Sequence, residues 1–147
     1  MIIDDGGREL AGYKGTAGDC VCRAFAIASQ RPYKEIYTMI NNISKTHPYR
    51  GRKRSGTGKS SARSGVYKED IRRLAAELGF TWTPCMTIGS GCKVHATADE
   101  LPKRGRLVLS LSKHCTAWID GECHDTYDPT RDGTRCVYGY WAAPTQC

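Results

Sequence analysis

Hydrophobic residues change their spacing near residue 80, and this change constrains the fold more than any other feature of the sequence. Before it, the spacing is helical. Residues 20–30 predict a short helix, Pro32 opens a second, and a third runs over about 66–78 and ends at Gly79. The first half of the chain is therefore predicted to be mainly helical.

After residue 80, the sequence divides into short runs that are typical of strands. We expect strands at about 80–84, 92–95, 106–112, 114–119, 122–127 and 134–141. The pair Asp120-Gly121 marks a tight hairpin between two of them. Helices followed by antiparallel strands indicate an α+β fold, with N-terminal helices packed on a C-terminal antiparallel sheet in a single domain over residues 1–147.

Positive charge is concentrated in one segment. The chain has a net charge of +7, and residues 50–63 carry six basic side chains and no acid. These side chains lie in a predicted flexible loop at about 44–64; they are Arg50, Arg52, Lys53, Arg54, Lys59 and Arg63. A basic loop of this kind binds nucleic-acid phosphates, covers a cleft as a recognition flap, or is a solvated surface segment, and the sequence leaves all three open. A nucleotide-binding P-loop is excluded because Lys53 stands where that pattern requires Gly.

The eight cysteines are expected to be reduced. Residues 1–5 are acidic where a secretion signal is basic, and no segment has the length of a membrane span, so we expect a cytoplasmic protein without membrane contact. A disulfide between Cys115 and Cys123, across neighbouring strands, is the alternative. Two clusters of possible zinc ligands in the sequence lack the paired C-x2-C spacing of zinc sites, so no metal is expected. These groups are Cys20 with Cys22, and Cys85 with Cys92 and His95.

Cys20 lies where a turn enters the first predicted helix. Asp19 precedes it as the expected N-cap, which places Cys20 in the first helical turn. There the positive end of the helix dipole lowers the pKa of a thiol and favours the nucleophilic thiolate. Cys20 is therefore the candidate nucleophile; the alternative is a cysteine that only fills the core.

His114 and two aspartates lie on the arms of the predicted hairpin. With a two-residue turn, Asp125 is a diagonal neighbour of His114, on the same face as Thr116 and Tyr127. A three-residue turn would shift the register and place Asp128 opposite His114 instead. The two-residue turn is simpler and favours Asp125, but the sequence leaves both aspartates open.

A cysteine, a histidine and an aspartate in this order are typical of thiol hydrolases. In that chemistry Cys20 attacks a carbonyl carbon, His114 keeps the thiol ionised and protonates the leaving group, and one of the two aspartates orients the imidazole. The backbone N–H of Cys20 supplies half of an oxyanion hole. The second donor is expected from the preceding segment, where Lys14 and Thr16 are the candidates.

The order of a cysteine on a helix, then a histidine and an aspartate on strands, resembles the papain-like cysteine peptidase superfamily. More closely, the chain resembles small papain-fold proteins of bacteriophages and prophages, through residues 18–24, 88–95 and 114–141. This resemblance implies a papain-like fold and hydrolysis of a peptide or isopeptide-like amide, without metal or organic cofactor, in the host cytoplasm. The chain departs from the papain-type pattern in one respect, because no Gln precedes Cys20 in the position that those enzymes use for an oxyanion donor.

The alternative function is that of a non-enzymatic phage accessory protein. Such a protein would bind nucleic acid or a host protein through the basic loop 50–63, with Cys20 and His114 as core residues. The two functions differ in the thiol, because a catalytic Cys20 alkylates rapidly with a depressed pKa and a core cysteine does not.

Overall fold

The structure is a computed structural model that describes residues 1–14, 17–46, 51–53, 56–87 and 89–145, with backbone alone at 51–53 and 56–58. Within these ranges the helices are α1 (Cys20–Ser29), α2 (Tyr33–Ser44) and α3 (Lys68–Glu77). The strands are β1 (Ile2–Ile3), β2 (Gly51–Lys53), β3 (Gly56–Gly58), β4 (Thr81–Pro84), β5 (Arg106–Leu111), β6 (His114–Ile119), β7 (Glu122–Asp125) and β8 (Gly139–Ala142). None of the described helices is long and apolar enough to cross a bilayer.

Six of these strands form one sheet in the order β1-β7-β6-β5-β8-β4, and the predicted α+β class is confirmed. Neighbours pair antiparallel except β1, which lies parallel to β7 with Ile3 opposite Asp125. The sheet is therefore mixed, and its first strand comes from the N-terminus rather than the C-terminal half. Two residues are too few to show a strand period, which is why the sequence did not predict β1.

Helix α1 is buried on most of its surface, because it lies between the sheet and α2. Its sequence is apolar on nearly every side, as expected of a helix without a broad solvent face. Phe25 packs against Phe80 and Trp141, with ring centroids 5.3 and 5.8 Å apart. The helix also packs along β6, and this contact brings Cys20 near the start of that strand.

Both faces of the central strands are covered. On β5, Val108 joins the core formed with the helices, while Leu107, Leu109 and Leu111 join a second apolar cluster with Trp118. Burial on both faces explains the nearly continuous apolar run of β5.

Three predicted elements differ from the structure. Residues 92–95 form a single bridge, between His95 and Cys136, rather than a strand. The strand predicted at 134–141 begins only at Gly139, because the preceding residues pair with the 94–96 segment instead. The predicted loop at 44–64 contains the antiparallel pair β2–β3, whose three-residue strands are too short to show a period.

The expectation of eight reduced cysteines also differs from the structure. Cys92 and Cys136 form a disulfide, because the bridge next to them brings the two segments together. Cys115 and Cys123, the alternative pair predicted from the sequence, are both buried and are not joined by a disulfide.

Candidate active site

Cys20 is the first residue of α1, as predicted, but Asp19 does not act as its cap. Asp19 holds the N-cap position, yet its side chain makes no capping hydrogen bond to the described part of the chain. The carboxylate is instead buried and accepts hydrogen bonds from Arg8 at 3.1 Å and from the Tyr33 hydroxyl at 2.6 Å. It also pairs with Arg23, one helical turn further along α1. Two guanidinium groups, those of Arg8 and Arg23, and the Tyr33 hydroxyl thus hold the carboxylate that the sequence assigned to the helix cap.

The environment of Cys20 favours the thiolate. Burial alone would raise the pKa of this half-buried thiol, but the hydrogen bond with His114 and the charge of the imidazolium outweigh burial and lower it. The backbone N–H of Cys115 and the charge of Arg23 lower the pKa of the thiol further. Cys20 thus differs from Cys22, which is buried two residues later and whose thiol pKa is raised to about 12, chiefly by burial.

His114 is held by Asp125 on the neighbouring strand. The imidazole Nε2–H donates to Asp125 Oδ2 at 2.8 Å, and both side chains are buried. Thr116 donates its hydroxyl to the same oxygen at 2.7 Å, while the backbone N–H of Thr126 donates to Oδ1 at 2.7 Å. Because Nε2 is occupied by Asp125, the hydrogen bond between His114 and Cys20 uses Nδ1.

The same contacts set the charges of the His–Asp pair. Burial opposes ionisation of His114. The hydrogen bonds with Asp125 and Cys20, together with the negative charges of these two groups, nevertheless raise the pKa of His114. Burial likewise opposes the Asp125 carboxylate, yet the bonds from His114 and Thr116 hold its pKa below the usual value. The arrangement therefore favours a thiolate, an imidazolium and a carboxylate in a row.

The hairpin register decides which aspartate meets His114. Ile119 pairs with Glu122, so the connection is the predicted two-residue turn. Both turn residues have positive φ, 48° at Asp120 and 85° at Gly121, as a type I′ turn requires. This register places Asp125 against His114.

Asp128, the alternative orienting residue, lies elsewhere. Its side chain is exposed and accepts bonds from the hydroxyl and backbone N–H of Thr130 at 2.7 and 2.9 Å. The structure thus does not bring Asp128 to His114, because its carboxylate closes a local turn with its own neighbours.

Arg23 connects the His114–Asp125 pair to a second buried carboxylate, Asp19, and it was not among the site residues predicted from the sequence. Its guanidinium pairs with Asp19 and lies 3.6 Å from Asp125 Oδ1. The charges alternate from Arg8 through Asp19, Arg23 and Asp125 to His114. The spacing of Asp19 and Arg23, at i and i+4, was the one available signal for this network.

Cys20 and His114 border a cleft of about 200 Å³, and Asp125 lies behind His114, outside the lining of this cleft. The walls of the cleft include Gly18, Gly65, Lys113 and Tyr127, and the Tyr127 hydroxyl is 3.4 Å from His114 Nδ1. Among the described residues, Lys14 is not part of this lining; its side chain is exposed, contrary to the expectation of an oxyanion donor. Thr16, the other candidate, lies outside the described residues.

The predicted basic loop is only partly described. Lys59 and Arg63 are exposed. Arg50 and Arg54 lie outside the described residues, and the side chains of Arg52 and Lys53 are not described either. Nucleic-acid binding by this segment therefore stays a prediction.

A thiol, an imidazole and a carboxylate in this order are the groups that nucleophilic thiol catalysis uses. No family model, curated protein or solved structure matches this chain. Its function must therefore be inferred from the site itself.

Proposed function

We propose that this chain is a thiol hydrolase of papain-like fold that cleaves a peptide or isopeptide-like amide. The observation that carries this proposal is the hydrogen-bond series from Asp125 through His114 to Cys20 at one cleft. A thiol at the start of a helix, facing a histidine and an aspartate on adjacent antiparallel strands, supports the papain-like assignment.

In the acylation step, the Cys20 thiolate attacks the carbonyl carbon of the amide. As the C–N bond breaks, the imidazolium gives its Nδ1 proton to the departing amine, and a thioester on Cys20 remains. Asp125 keeps Nε2–H in place throughout, so that Nδ1 stays directed at the reacting atoms.

In the deacylation step, neutral His114 removes a proton from water, which attacks the thioester. The acid is released, and the thiolate–imidazolium pair is restored. The cleft volume of about 200 Å³ is smaller than a typical pocket for a drug-sized ligand, so it encloses the groups around one scissile bond rather than a long peptide.

Charge on the carbonyl oxygen is stabilised by donors around the thiol. The backbone N–H of Cys20 belongs to the first turn of α1, where N–H groups have no partner within the helix. Tyr127 replaces Lys14 as our candidate for the second donor, because its hydroxyl shares the cleft with Cys20 and approaches His114 Nδ1.

The test is hydrolysis of a mixed pool of peptide and lysine-linked isopeptide amides in H₂¹⁸O, followed by mass spectrometry. Hydrolysis places one solvent oxygen in each new carboxylate, and an acid quench preserves any thioester on Cys20. We expect labelled products with the wild type and none with Cys20→Ala or His114→Ala. Asp128→Asn is the matched control and should keep full activity.

Labelled products that persist in Cys20→Ala would contradict the assignment of the nucleophile. If no product forms and Cys20 also fails to react selectively with a thiol reagent, the hydrolase proposal is overturned.

A further inference from the structure

A group of potential metal ligands lies outside the cleft and consists of Cys92, His95 and Cys136. Their ligand atoms are all within 4.8 Å of one another. Backbone hydrogen bonds align the two segments, from Val137 N–H to Val94 at 2.8 Å and from Ala96 N–H to Arg135 at 2.9 Å. The side chains are thus brought together by paired backbone rather than by chance contact of flexible ends.

The orientation of His95 is an independent sign of a ligand. Its Nδ1 lies 3.1 Å from both carboxylate oxygens of Glu100, and Thr97 donates its hydroxyl to Glu100 at 3.3 Å. A carboxylate on one ring nitrogen fixes the tautomer and leaves the other nitrogen as the basic one. This carboxylate–histidine pair is the arrangement that usually supports metal-ligating histidines.

We propose that the reduced chain binds one Zn²⁺ through the sulfurs of Cys92 and Cys136 and through Nε2 of His95. Two thiolates and an imidazole are the soft and borderline ligands that favour zinc over magnesium or calcium. Three protein ligands leave the fourth tetrahedral position to water. The Cys92–Cys136 disulfide and the zinc site are then two alternative states of the same two sulfurs.

The conversion between these states balances with a thiol reductant. Two reductant thiols give two electrons and two protons to the disulfide; they become a disulfide themselves and leave Cys92 and Cys136 as thiols. Zinc binding then displaces the two thiol protons, so it is favoured as the pH rises. This inference does not rest on the proposed hydrolysis, since neither Cys20 nor His114 takes part.

The test measures zinc in the full chain carrying Cys20→Ala, a background that removes the reactive thiol from metal binding. The protein is reduced or oxidised, dialysed against Zn²⁺, and analysed for metal by mass spectrometry, with Co²⁺ absorption reporting sulfur ligation. We expect about one zinc per reduced chain and none per oxidised chain. Cys92→Ser and Cys136→Ser should abolish tight binding, and Glu100→Gln should weaken it by about 10- to 100-fold.

Cys85→Ser is the matched control, because Cys85 is a free cysteine outside the cluster and its loss should leave zinc binding unchanged. The comparison of reduced with oxidised protein needs no substitution at the cluster, so it remains decisive if a serine variant fails to fold. A reduced chain that takes up no zinc would overturn the proposal, as would equal binding by oxidised protein or by folded Cys92→Ser.

Discussion

Replacing Arg23 by glutamine tests whether the buried charge network supports the site. Arg23 pairs with Asp19 and approaches Asp125, and the side chains of these two aspartates are only 1% and 4% exposed. The substitution keeps most of the side-chain volume but removes the positive charge between two buried carboxylates. We expect it to destabilise the fold and disturb the position of Asp125.

The expected loss is about 3 kcal/mol in the free energy of unfolding. Removing one partner of a buried ion pair costs about 3–5 kcal/mol, because a charge is left buried without compensation. The low end of this range applies here, because Asp19 still accepts hydrogen bonds from Arg8 and Tyr33, and Asp125 still accepts one from His114.

Urea unfolding at pH 7 measures this loss. With a slope of about 2 kcal/mol/M, the midpoint should fall by roughly 1.5 M. Arg31→Gln is the matched control, because Arg31 forms an i,i+4 pair with Glu35 whose side chains are 48% and 44% exposed. Such an exposed pair contributes about 0.5 kcal/mol or less. Equal midpoint shifts in Arg23→Gln and Arg31→Gln would refute the network as a source of stability.

Three further predictions concern the site and the basic loop. Asp125→Asn should slow alkylation of Cys20 near pH 6 by about tenfold or more, because a charge-assisted bond of about 1.5–3 kcal/mol to the imidazolium is lost. Asp128→Asn is the control and should leave the alkylation rate unchanged. Equal rates in the two variants would contradict the register that places Asp125 against His114. The depressed pKa of Asp125 stabilises the fold above the unfolded value of about 3.9, and this contribution disappears as the pH falls through the lower folded value. The difference in unfolding free energy between wild type and Asp125→Asn, measured by urea titration, should therefore shrink from pH 7 towards about pH 2. A difference that stays constant over this range would contradict the depressed pKa of Asp125. If the segment 50–63 binds nucleic acid, replacing its six basic residues should remove salt-dependent binding in fluorescence anisotropy, whereas unchanged binding would exclude this role.

Local patterns in the sequence were sufficient to predict much of the fold. The helical spacing placed α1, α2 and α3 within about two residues of their observed bounds, and the Asp120-Gly121 turn fixed the register of β6 and β7. The contacts of His114 with Asp125 and Tyr127 follow from that register. These features depend on residues close in sequence, where period and turn chemistry act directly.

Features that depend on distant residues were not predictable. Asp19 has the residue type of a cap, but its partners Arg8 and Tyr33 approach it only when the chain folds. Cys92 and Cys136 are separated by 44 positions, and no local pattern pairs them. Tertiary contacts thus gave Asp19, Cys92 and Cys136 roles that differ from those suggested by their neighbours in the sequence.

The central claim is that Cys20 and His114 form a thiolate–imidazolium pair, and a pH series of iodoacetamide labelling with peptide mapping tests it directly. The account predicts that Cys20 is labelled selectively between about pH 6 and 7, where an unperturbed thiol is almost fully protonated. This selective labelling should disappear in His114→Ala, because the hydrogen bond and charge that favour the thiolate are removed. Labelling of Cys20 no faster than that of the other free cysteines, or an unchanged pH profile in His114→Ala, would contradict the account.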